Sequence, residues 1–164
     1  MATPPFIVDL RAKIGHDPLW LPGVTGIVLR PGADGQADEV LLVQRVDNGQ
    51  WTPVTGICDP GEQPGDAIVR EIREETGITA RIRGLIGVEA VGPVTYPNGD
   101  VSSYMDTSFS LVAVDSSAEP TVGDDESTAV RWCPVDELPP MKDRFVRTIG
   151  WAVEGSSGHY GGGK

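Results

Sequence analysis

The chain has few cysteines, few aromatic residues and no long apolar run. Cys58 and Cys133 are the only cysteines among its 164 residues, which excludes a disulfide framework and a zinc site built mainly from cysteine. No stretch approaches the roughly 18 consecutive apolar residues of a membrane span. The first ten residues also lack the basic residue that opens a secretory signal. We therefore expect a cytoplasmic protein with two reduced thiols.

Positive charge is also scarce. The chain has 13 Lys and Arg against 24 Asp and Glu, which gives a formal charge of -11. An acidic protein repels the phosphates of nucleic-acid polymers and anionic membrane surfaces, so neither is an expected partner. A phosphate-bearing small molecule would need local positive charge, and a divalent cation held by acidic side chains is the obvious source.

The length and composition suit one domain with one hydrophobic core. With 39% hydrophobic residues, the chain has enough apolar material to bury a core of ordinary size. We expect residues 1–154 to form this single domain. Residues 155–164 are rich in glycine and are predicted to form a flexible tail.

Hydrophobic periodicity and turn residues divide the chain into strands and three helices. One short helix ends near Gly15, the central helix spans Pro64–Thr76 with Gly77 as its C-terminal cap, and the last helix spans 144–153. The segment 50–65 is predicted to be a loop. Strands around these helices favour an α/β sandwich with a mixed sheet over an all-β barrel; we predict them at 21–29, 39–46, 78–91, 101–114 and 130–133.

The central helix carries an acidic cluster. Glu71, Glu74 and Glu75 are three and four positions apart, so they share one helical face, opposite the apolar residues, and are expected to face solvent. Neighbouring like charges destabilise a helix by a few tenths of a kcal/mol per pair, roughly, unless a cation lies among them. Ligands that offer only oxygen favour Mg²⁺ or Mn²⁺. The alternative is an acidic face that simply contacts water, which is common.

Loop and helix together resemble a known motif. The segment GICDPGEQPGDAIVREIREETGI resembles the Nudix box, G-x5-E-x7-R-E-U-x-E-E-x-G-U, where U is aliphatic. Weaker likeness covers most of residues 21–140, although Val54-Thr55-Gly56 stands where the family commonly has Pro-Gly-Gly. Every fixed position of the box is filled, by Gly56, Glu62, Arg70, Glu71, Ile72, Glu74, Glu75, Gly77 and Ile78.

The resemblance implies a fold and a reaction. The fold is a Nudix-type α/β/α sandwich with a mixed β-sheet. The reaction is metal-dependent hydrolysis of the diphosphate linkage in a nucleoside diphosphate linked to a group X. Substrates that resemble ADP-ribose, nucleoside triphosphates, sugar nucleotides or dinucleoside polyphosphates all remain open. Because relatives are often homodimers, monomer and homodimer both remain open as well.

The resemblance also assigns residues to the site. Mg²⁺ or Mn²⁺ would be held by Glu71, Glu75, Glu74 and the backbone carbonyl of Gly56. Glu62 and Gly77 would support these ligands structurally, and Arg70 can brace them because it lies within reach of Glu62 and Glu74. The catalytic candidates are Glu74 and Glu126 as alternative general bases, with Arg70. The candidates for substrate binding are Arg45, Trp51 and Tyr96.

Three other interpretations compete with hydrolysis. The first is a non-catalytic nucleotide sensor on the same fold, which the full set of box carboxylates disfavours. The second is an isoprenoid diphosphate isomerase, which the absence of a catalytic setting around either cysteine disfavours. The third is an acidic structural or calcium-buffering protein, which leaves Gly56, Arg70 and Gly77 without an explanation.

Overall fold

The computed structural model describes residues 3–161 and contains a mixed sheet with helices on both faces. None of the helices within that range is long and apolar enough to cross a membrane. The elements are α1 (Pro5–Ile14), β1 (Leu19–Arg30), β2 (Glu39–Arg45), β3 (Trp51–Thr52), β4 (Val54–Ile57), α2 (Pro64–Thr76), β5 (Ala80–Thr95), β6 (Val101–Ala113), β7 (Ser127–Pro134), α3 (Asp143–Glu154) and β8 (His159–Tyr160).

β1 is the central strand of the sheet. The order is β3-β2-β1-β6-β5-β8, and two further strands join it, because β4 pairs with β1 and β7 pairs with β2. β1 runs parallel to β6 and antiparallel to β4. Gly23 of β1 faces Ile57 on one side and Asp106 on the other. β1 therefore connects the segment that leads into the central helix with the middle of β6.

The two faces of the sheet are covered by different helices. α2 begins at Pro64, which needs no amide hydrogen there, and ends at Gly77 in the left-handed region with φ 70°. Its buried Ile68 and Ile72 pack on the β1 side that also buries Val24. On the other face, Ile149 of α3 packs in a second cluster with the residues of β1 and β2. The predicted α/β/α sandwich with a mixed sheet is confirmed, and the predicted α2 boundaries match.

The prediction of a loop over residues 50–65 is partly wrong. Residues 51–52 form β3, and residues 54–57 form β4, which pairs with Gly23–Gly26 of β1. Glycine and proline weaken local strand propensity, so the composition of the segment suggests a loop. The hydrogen-bond partners that make β4 a strand come from residues far away in the chain, which local composition does not reveal.

Residues 159–160, which the sequence places in a flexible tail, form the short strand β8. β8 pairs in parallel with Gly87 and Val88 of β5, so the sheet extends past the predicted domain boundary at residue 154. The rings of Trp151 and His159 stack with centroids 3.7 Å apart, which holds this strand against α3. The end of the predicted tail, residues 162–164, lies outside the described residues.

The contact between α2 and β1 yields a stability prediction. A Cβ on Gly26 would lie 2.7 Å from Cγ1 of Ile68 and 2.9 Å from Cδ1 of Ile72, so only glycine lets the helix approach the strand this closely. We expect Gly26→Val to lower the free energy of unfolding by about 1–3 kcal/mol through overpacking. Urea denaturation measures this. The control is Gly84→Ala in β5, where an added Cβ meets no atom of the described residues within 4 Å; equal stabilities of the two variants would contradict the prediction.

Candidate functional site

Two of the three box glutamates on α2 are buried. Glu71 is 0% exposed and Glu75 is 6% exposed, whereas Glu74 is exposed. The expectation that all three face solvent is therefore wrong for Glu71 and Glu75. The burial has two sources, because β4 packs on one side of the helix and the acidic segment before β7 crosses its C-terminal end. There the Gly123 amide donates to the Glu75 carbonyl at 2.9 Å.

Arg70 links the loop before α2 to the helix. Its Nε and Nη2 each donate to Glu62 at 2.8 Å, a paired geometry that fixes both side chains. Its Nη1 donates to Glu71 Oε1 at 3.0 Å and to Glu74 Oε2 at 3.2 Å. Arg70 lowers the pKa of Glu62, and Glu62 in turn raises the pKa of Arg70. The contact predicted between Arg70 and Glu62 is present, and it holds Glu71 in one position.

Gly56 allows the Glu71 carboxylate to lie against the backbone of β4. A Cβ at Gly56 would lie 2.4 Å from Cγ and 2.6 Å from Oε1 of Glu71, so any other residue would displace this side chain. The carboxylate is thus packed beside the strand whose Gly56 carbonyl the sequence proposes as a ligand. Glu71 Oε2 is buried and has no hydrogen-bond partner among the described residues.

The electrostatics of the buried pair are unfavourable without added positive charge. Burial raises the pKa of Glu71 to about 7, and Arg70 only partly opposes this. Burial, together with the negative charges of Glu71 and Asp124, raises the pKa of Glu75 to about 8. A buried oxygen without a partner beside a second buried carboxylate is a donor set that suits a hard divalent cation. The residues present therefore fit the implied Mg²⁺ or Mn²⁺.

Glu74 is not gathered with the other two carboxylates. It is bonded to Arg70 and faces outward. Within residues 3–161, no three Asp, Glu, His or Cys side chains converge closely enough to form a complete metal site as they stand. The residues that would hold a cation are Glu71, Glu75 and the Gly56 carbonyl, with Glu74 joining them only if its side chain turns away from Arg70.

A cavity of about 560 Å³ opens beside Gly56. Gly56, Arg45, Tyr96 and Glu126 from the sequence predictions all line it. Arg45 donates to Asp47 through Nε and Nη2, both at 3.0 Å. The hydroxyl groups of Tyr96 and Tyr104 share a short hydrogen bond. The cavity thus offers the Arg45 guanidinium and two phenol groups. Of the residues that the structure describes, neither Glu71 nor Glu75 lines it, and Glu71 adjoins it only through the contact with Gly56.

Trp51 lies outside this cavity. The Arg131 guanidinium covers its ring at 4.4 Å from the centroid, and the side chain packs against the cluster under α3. It is not among the described residues that line the cavity. The sequence prediction grouped Trp51 with Arg45 and Tyr96 as substrate contacts, but the structure brings only Arg45 and Tyr96 together.

Sequence reasoning missed a polar cluster at the floor of the cavity. Asp106 is only 5% exposed, and it accepts hydrogen bonds from Thr25, Ser108 and Arg144. The available signal was the alternation in β6, where polar residues at 102, 106 and 108 occupy buried positions. Buried polar side chains in a strand are uncommon unless they serve a network or a ligand.

A model of the NUDIX domain matches residues 20–149. The chain belongs to the Nudix family. A MutT-like protein from Streptomyces ambofaciens is 31% identical over 87% of this chain and 82% of its own length. A solved MutT NUDIX hydrolase from Burkholderia pseudomallei is 27% identical, with a TM-score of 0.58 over 82% of this chain and 97% of that one. A solved UDP-X diphosphatase has a TM-score of 0.63 at 17% identity, over 94% of this chain and 73% of that one.

The Nudix box maps onto one continuous structural unit. It begins in β4 at Gly56, passes through the turn that carries Glu62, and ends with the cap of α2 at Gly77. The departure at Val54-Thr55 lies in β4 itself, where both residues pair with β1. The departure therefore leaves Gly56 in a regular strand, and the contact with Glu71 is retained.

The buried pair predicts how stability depends on pH in the absence of metal. The pKa of Glu75 is raised from 4.5 to about 8, so between these values the folded protein keeps a proton that the unfolded chain has lost. The contribution of Glu75 to stability is then fully present below about pH 4.5 and disappears as the pH rises through 8. We expect the melting temperature in EDTA to fall between pH 6 and 9, and to fall less in Glu75→Gln.

The same variant tests cation binding. At pH 9, Mg²⁺ should raise the melting temperature of the unmodified chain and have a smaller effect on Glu75→Gln, because binding to the folded state stabilises it. Glu154→Gln, an exposed change on α3, is the matched control and should behave as the unmodified chain. If Glu75→Gln and Glu154→Gln have the same pH profile and the same response to Mg²⁺, the buried pair is not the cation site.

Proposed function

We propose that the chain hydrolyses the diphosphate linkage of a nucleoside diphosphate linked to a group X, with Mg²⁺ or Mn²⁺ as cofactor. The observation that carries the proposal is the pair of buried carboxylates on α2, one of which packs against Gly56 at the wall of the cavity. A cation-binding site beside a cavity lined by Arg45 suits a substrate that has a diphosphate and a larger neutral portion.

Family membership supports the enzyme class, a Nudix pyrophosphohydrolase. The retained box carboxylates favour an enzyme over a nucleotide sensor, because a sensor has no need of a complete ligand set. One solved neighbour is a UDP-X diphosphatase, which is consistent with a substrate of the proposed type. The proposed setting is the cytoplasm, with monomer and homodimer as alternative assemblies.

The roles of the α2 residues follow from their positions. Glu71, Glu75 and the Gly56 carbonyl would hold the cation, with Glu74 as a further ligand. When bound, such a cation neutralises the diphosphate and lowers the pKa of a water molecule so that it becomes a nucleophile near neutral pH. Arg70 positions Glu71 and is itself fixed by Glu62. Gly77 ends the helix one turn after Glu74, which sets where the ligands lie.

Glu126 is the favoured general base. It lines the cavity, and its charge contributes to the raised pKa of Glu75, so it lies close to the proposed cation. Its backbone carbonyl accepts a hydrogen bond from the Val46 amide at 2.8 Å, which anchors this end of the acidic segment to the end of β2. Glu74 is the alternative base; it is exposed and bonded to Arg70. Either carboxylate would take the proton that the attacking water loses.

Arg45 and Tyr96 are the proposed substrate contacts. Both line the cavity, and the negative charges of Asp47 and Glu126 raise the pKa of Arg45. Arg45 therefore lies next to the proposed base and can bind a phosphate oxygen once it turns from Asp47. Burial raises the pKa of Tyr96, so its hydroxyl stays protonated and can donate to the substrate.

The proposal predicts turnover that depends on named carboxylates. Assays of ADP-ribose, nucleoside triphosphates, sugar nucleotides and dinucleoside polyphosphates with Mg²⁺ and with Mn²⁺ should reveal hydrolysis, read out as released phosphate esters. We expect Glu75→Gln to lower kcat by about 100-fold or more, since it removes a ligand of the cation that stabilises the transition state. The exposed Glu154→Gln should retain full activity.

A second comparison identifies the base. Loss of a general base lowers kcat by about 10²- to 10⁴-fold, so we expect this loss in Glu126→Gln and a smaller loss in Glu74→Gln. The reverse order would transfer the role to Glu74. If no substrate of the panel turns over while nucleotides still bind, the sensor interpretation replaces the proposal, and turnover of an isoprenoid diphosphate alone would favour the isomerase.

A further inference from the structure

The floor of the cavity holds a carboxylate that the proposed hydrolysis does not use. Asp106 lies in the middle of β6 and is only 5% exposed, yet it lines the same cavity as Gly56. A buried carboxylate is costly unless its oxygens accept hydrogen bonds. The hydrogen-bond donors that already contact Asp106, and the lone-pair position that remains on its carboxylate, define what can bind there.

The network around Asp106 leaves acceptor capacity at one oxygen. Thr25 Oγ1 lies 2.9 Å from Oδ1 and 2.8 Å from Oδ2, but a hydroxyl donates only one proton. Ser108 Oγ and Arg144 Nη1 both donate to Oδ2, at 3.2 and 3.3 Å. A carboxylate has about four lone-pair positions, and these three groups supply at most three protons. Among residues 3–161, Thr25 is the only side chain that hydrogen-bonds to Oδ1.

Gly23 leaves open space on the Oδ1 side. A Cβ at Gly23 would lie 3.3 Å from Asp106 Oδ1 and 3.2 Å from Cβ of Tyr104, so any larger side chain there would cover this oxygen. Gly23 also lines the cavity, as do Tyr104 and Arg144. The missing side chain is therefore what exposes Oδ1 to a molecule inside the cavity.

Arg144 adds donors beside this acceptor. It lies in the first turn of α3, its guanidinium covers the ring of Phe145 at 4.0 Å from the centroid, and its side chain is 23% exposed. One of its five N–H groups is directed at Asp106, and the others are available to a ligand. An acceptor and a donor lie side by side, which suits a neutral group that both donates and accepts. A phosphate, which only accepts, would be repelled by Asp106.

The position of Asp106 relative to the Nudix box suits the part of a substrate that lies away from the diphosphate. Gly23 of β1 faces Ile57 on β4 and Asp106 on β6. Adjacent strands lie about 4.8 Å apart, so β4 and β6 at this level are about 10 Å apart across β1. Glu71 lies on the α2 face of β1 and Asp106 on the α3 face, and both Gly56 and Asp106 line the cavity. A molecule whose diphosphate lies at Gly56 would therefore reach Asp106 by extending past β1 within the cavity.

We propose that Asp106 is a specificity-determining residue that accepts a hydrogen bond from a neutral N–H or O–H group of the substrate. The proposal rests on the proposed function for the place of the diphosphate. The donor is either an amino or imide group of the base or a hydroxyl group of a sugar. Arg144 positions Asp106 and donates to the neighbouring acceptor of the same group.

The test uses the whole chain and two variants. Asp106→Asn replaces one oxygen by a donor of the same shape, and Gly23→Ala covers Oδ1 while the Asp106 carboxylate remains. Arg147→Gln is the control, because it lies on the same helix but pairs with Glu89 on the surface. The first readout is binding of neutral ligands, with adenosine, guanosine, cytidine, uridine, ribose and glucose as probes in saturation-transfer NMR. The second is KM and kcat on the substrates that turn over.

We expect both variants to weaken binding of at least one neutral probe and to raise KM by about 10- to 100-fold, the effect of losing a hydrogen bond to a charged group, with a smaller change in kcat. A response that differs among the four nucleosides identifies the base as the donor, because their ribose is the same; an equal response from all four, or from a free sugar, identifies a hydroxyl. Arg147→Gln should match the unmodified chain. Melting temperatures of all variants show whether a change reflects folding instead.

Three outcomes would overturn the inference. One is turnover with the same KM and the same order of substrates in Asp106→Asn and Gly23→Ala. Another is that neutral probes bind equally well to these variants, or that none binds the unmodified chain. The last is a lowered melting temperature as the sole effect. If the unmodified chain binds a nucleoside through Asp106 but hydrolyses nothing, the proposed function fails and this inference stands.

Discussion

Two carboxylates buried on α2 are the constraint on which the site depends. Glu71 and Glu75 are one helical turn apart, and their burial opposes ionisation of both. Proteins keep buried charges only where other charges compensate for them. Arg70 compensates part of the charge on Glu71, and a divalent cation is the natural complement for the remainder. Gly56 and the acidic segment before β7 matter to the site because both enclose this pair of carboxylates.

The sheet connects the proposed cation site to the rest of the cavity. β1 is hydrogen-bonded to β4 on one side and to β6 on the other, so it fixes the spacing between Gly56 and Asp106. Gly26 of β1 admits α2 to the sheet on one face, and Gly23 opens the cavity to Asp106. Small residues in a strand often mark a place where another group approaches closely. Here one glycine admits a helix and the other leaves room for a ligand.

Part of this molecule could be predicted from the sequence. The helix from Pro64 to Thr76 was predictable because a proline, an amphipathic pattern and a capping glycine all indicate the same boundaries. The link between Arg70 and Glu62 followed from the motif. The burial of Glu71 and Glu75 could not be predicted, because it arises from β4, which the sequence suggested to be a loop, and from the segment around Gly123, which is remote in the chain.

The sequence predictions and the structure differ where local residue types do not report contacts with distant parts of the chain. β4 and β8 are short strands whose partners are distant, and glycine-rich composition around them predicted a loop and a tail instead. Trp51 was a reasonable stacking residue by type, but Arg131 covers its ring. Asp106 was overlooked because the apolar residues of β6 identified the strand, whereas its polar residues at buried positions carried the functional signal.

We expect the Glu71–Glu75 pair to hold a divalent cation against β4. Anomalous X-ray scattering from crystals grown with Mn²⁺ tests it most directly, because manganese is located without reference to activity. If the pair holds the cation, a manganese peak will be bonded to carboxylate oxygens of Glu71 and Glu75 and to the carbonyl oxygen of Gly56, at about 2.0–2.3 Å for a small, hard divalent cation. Manganese bound only at other acidic residues, with both glutamates protonated and free of metal, would contradict it.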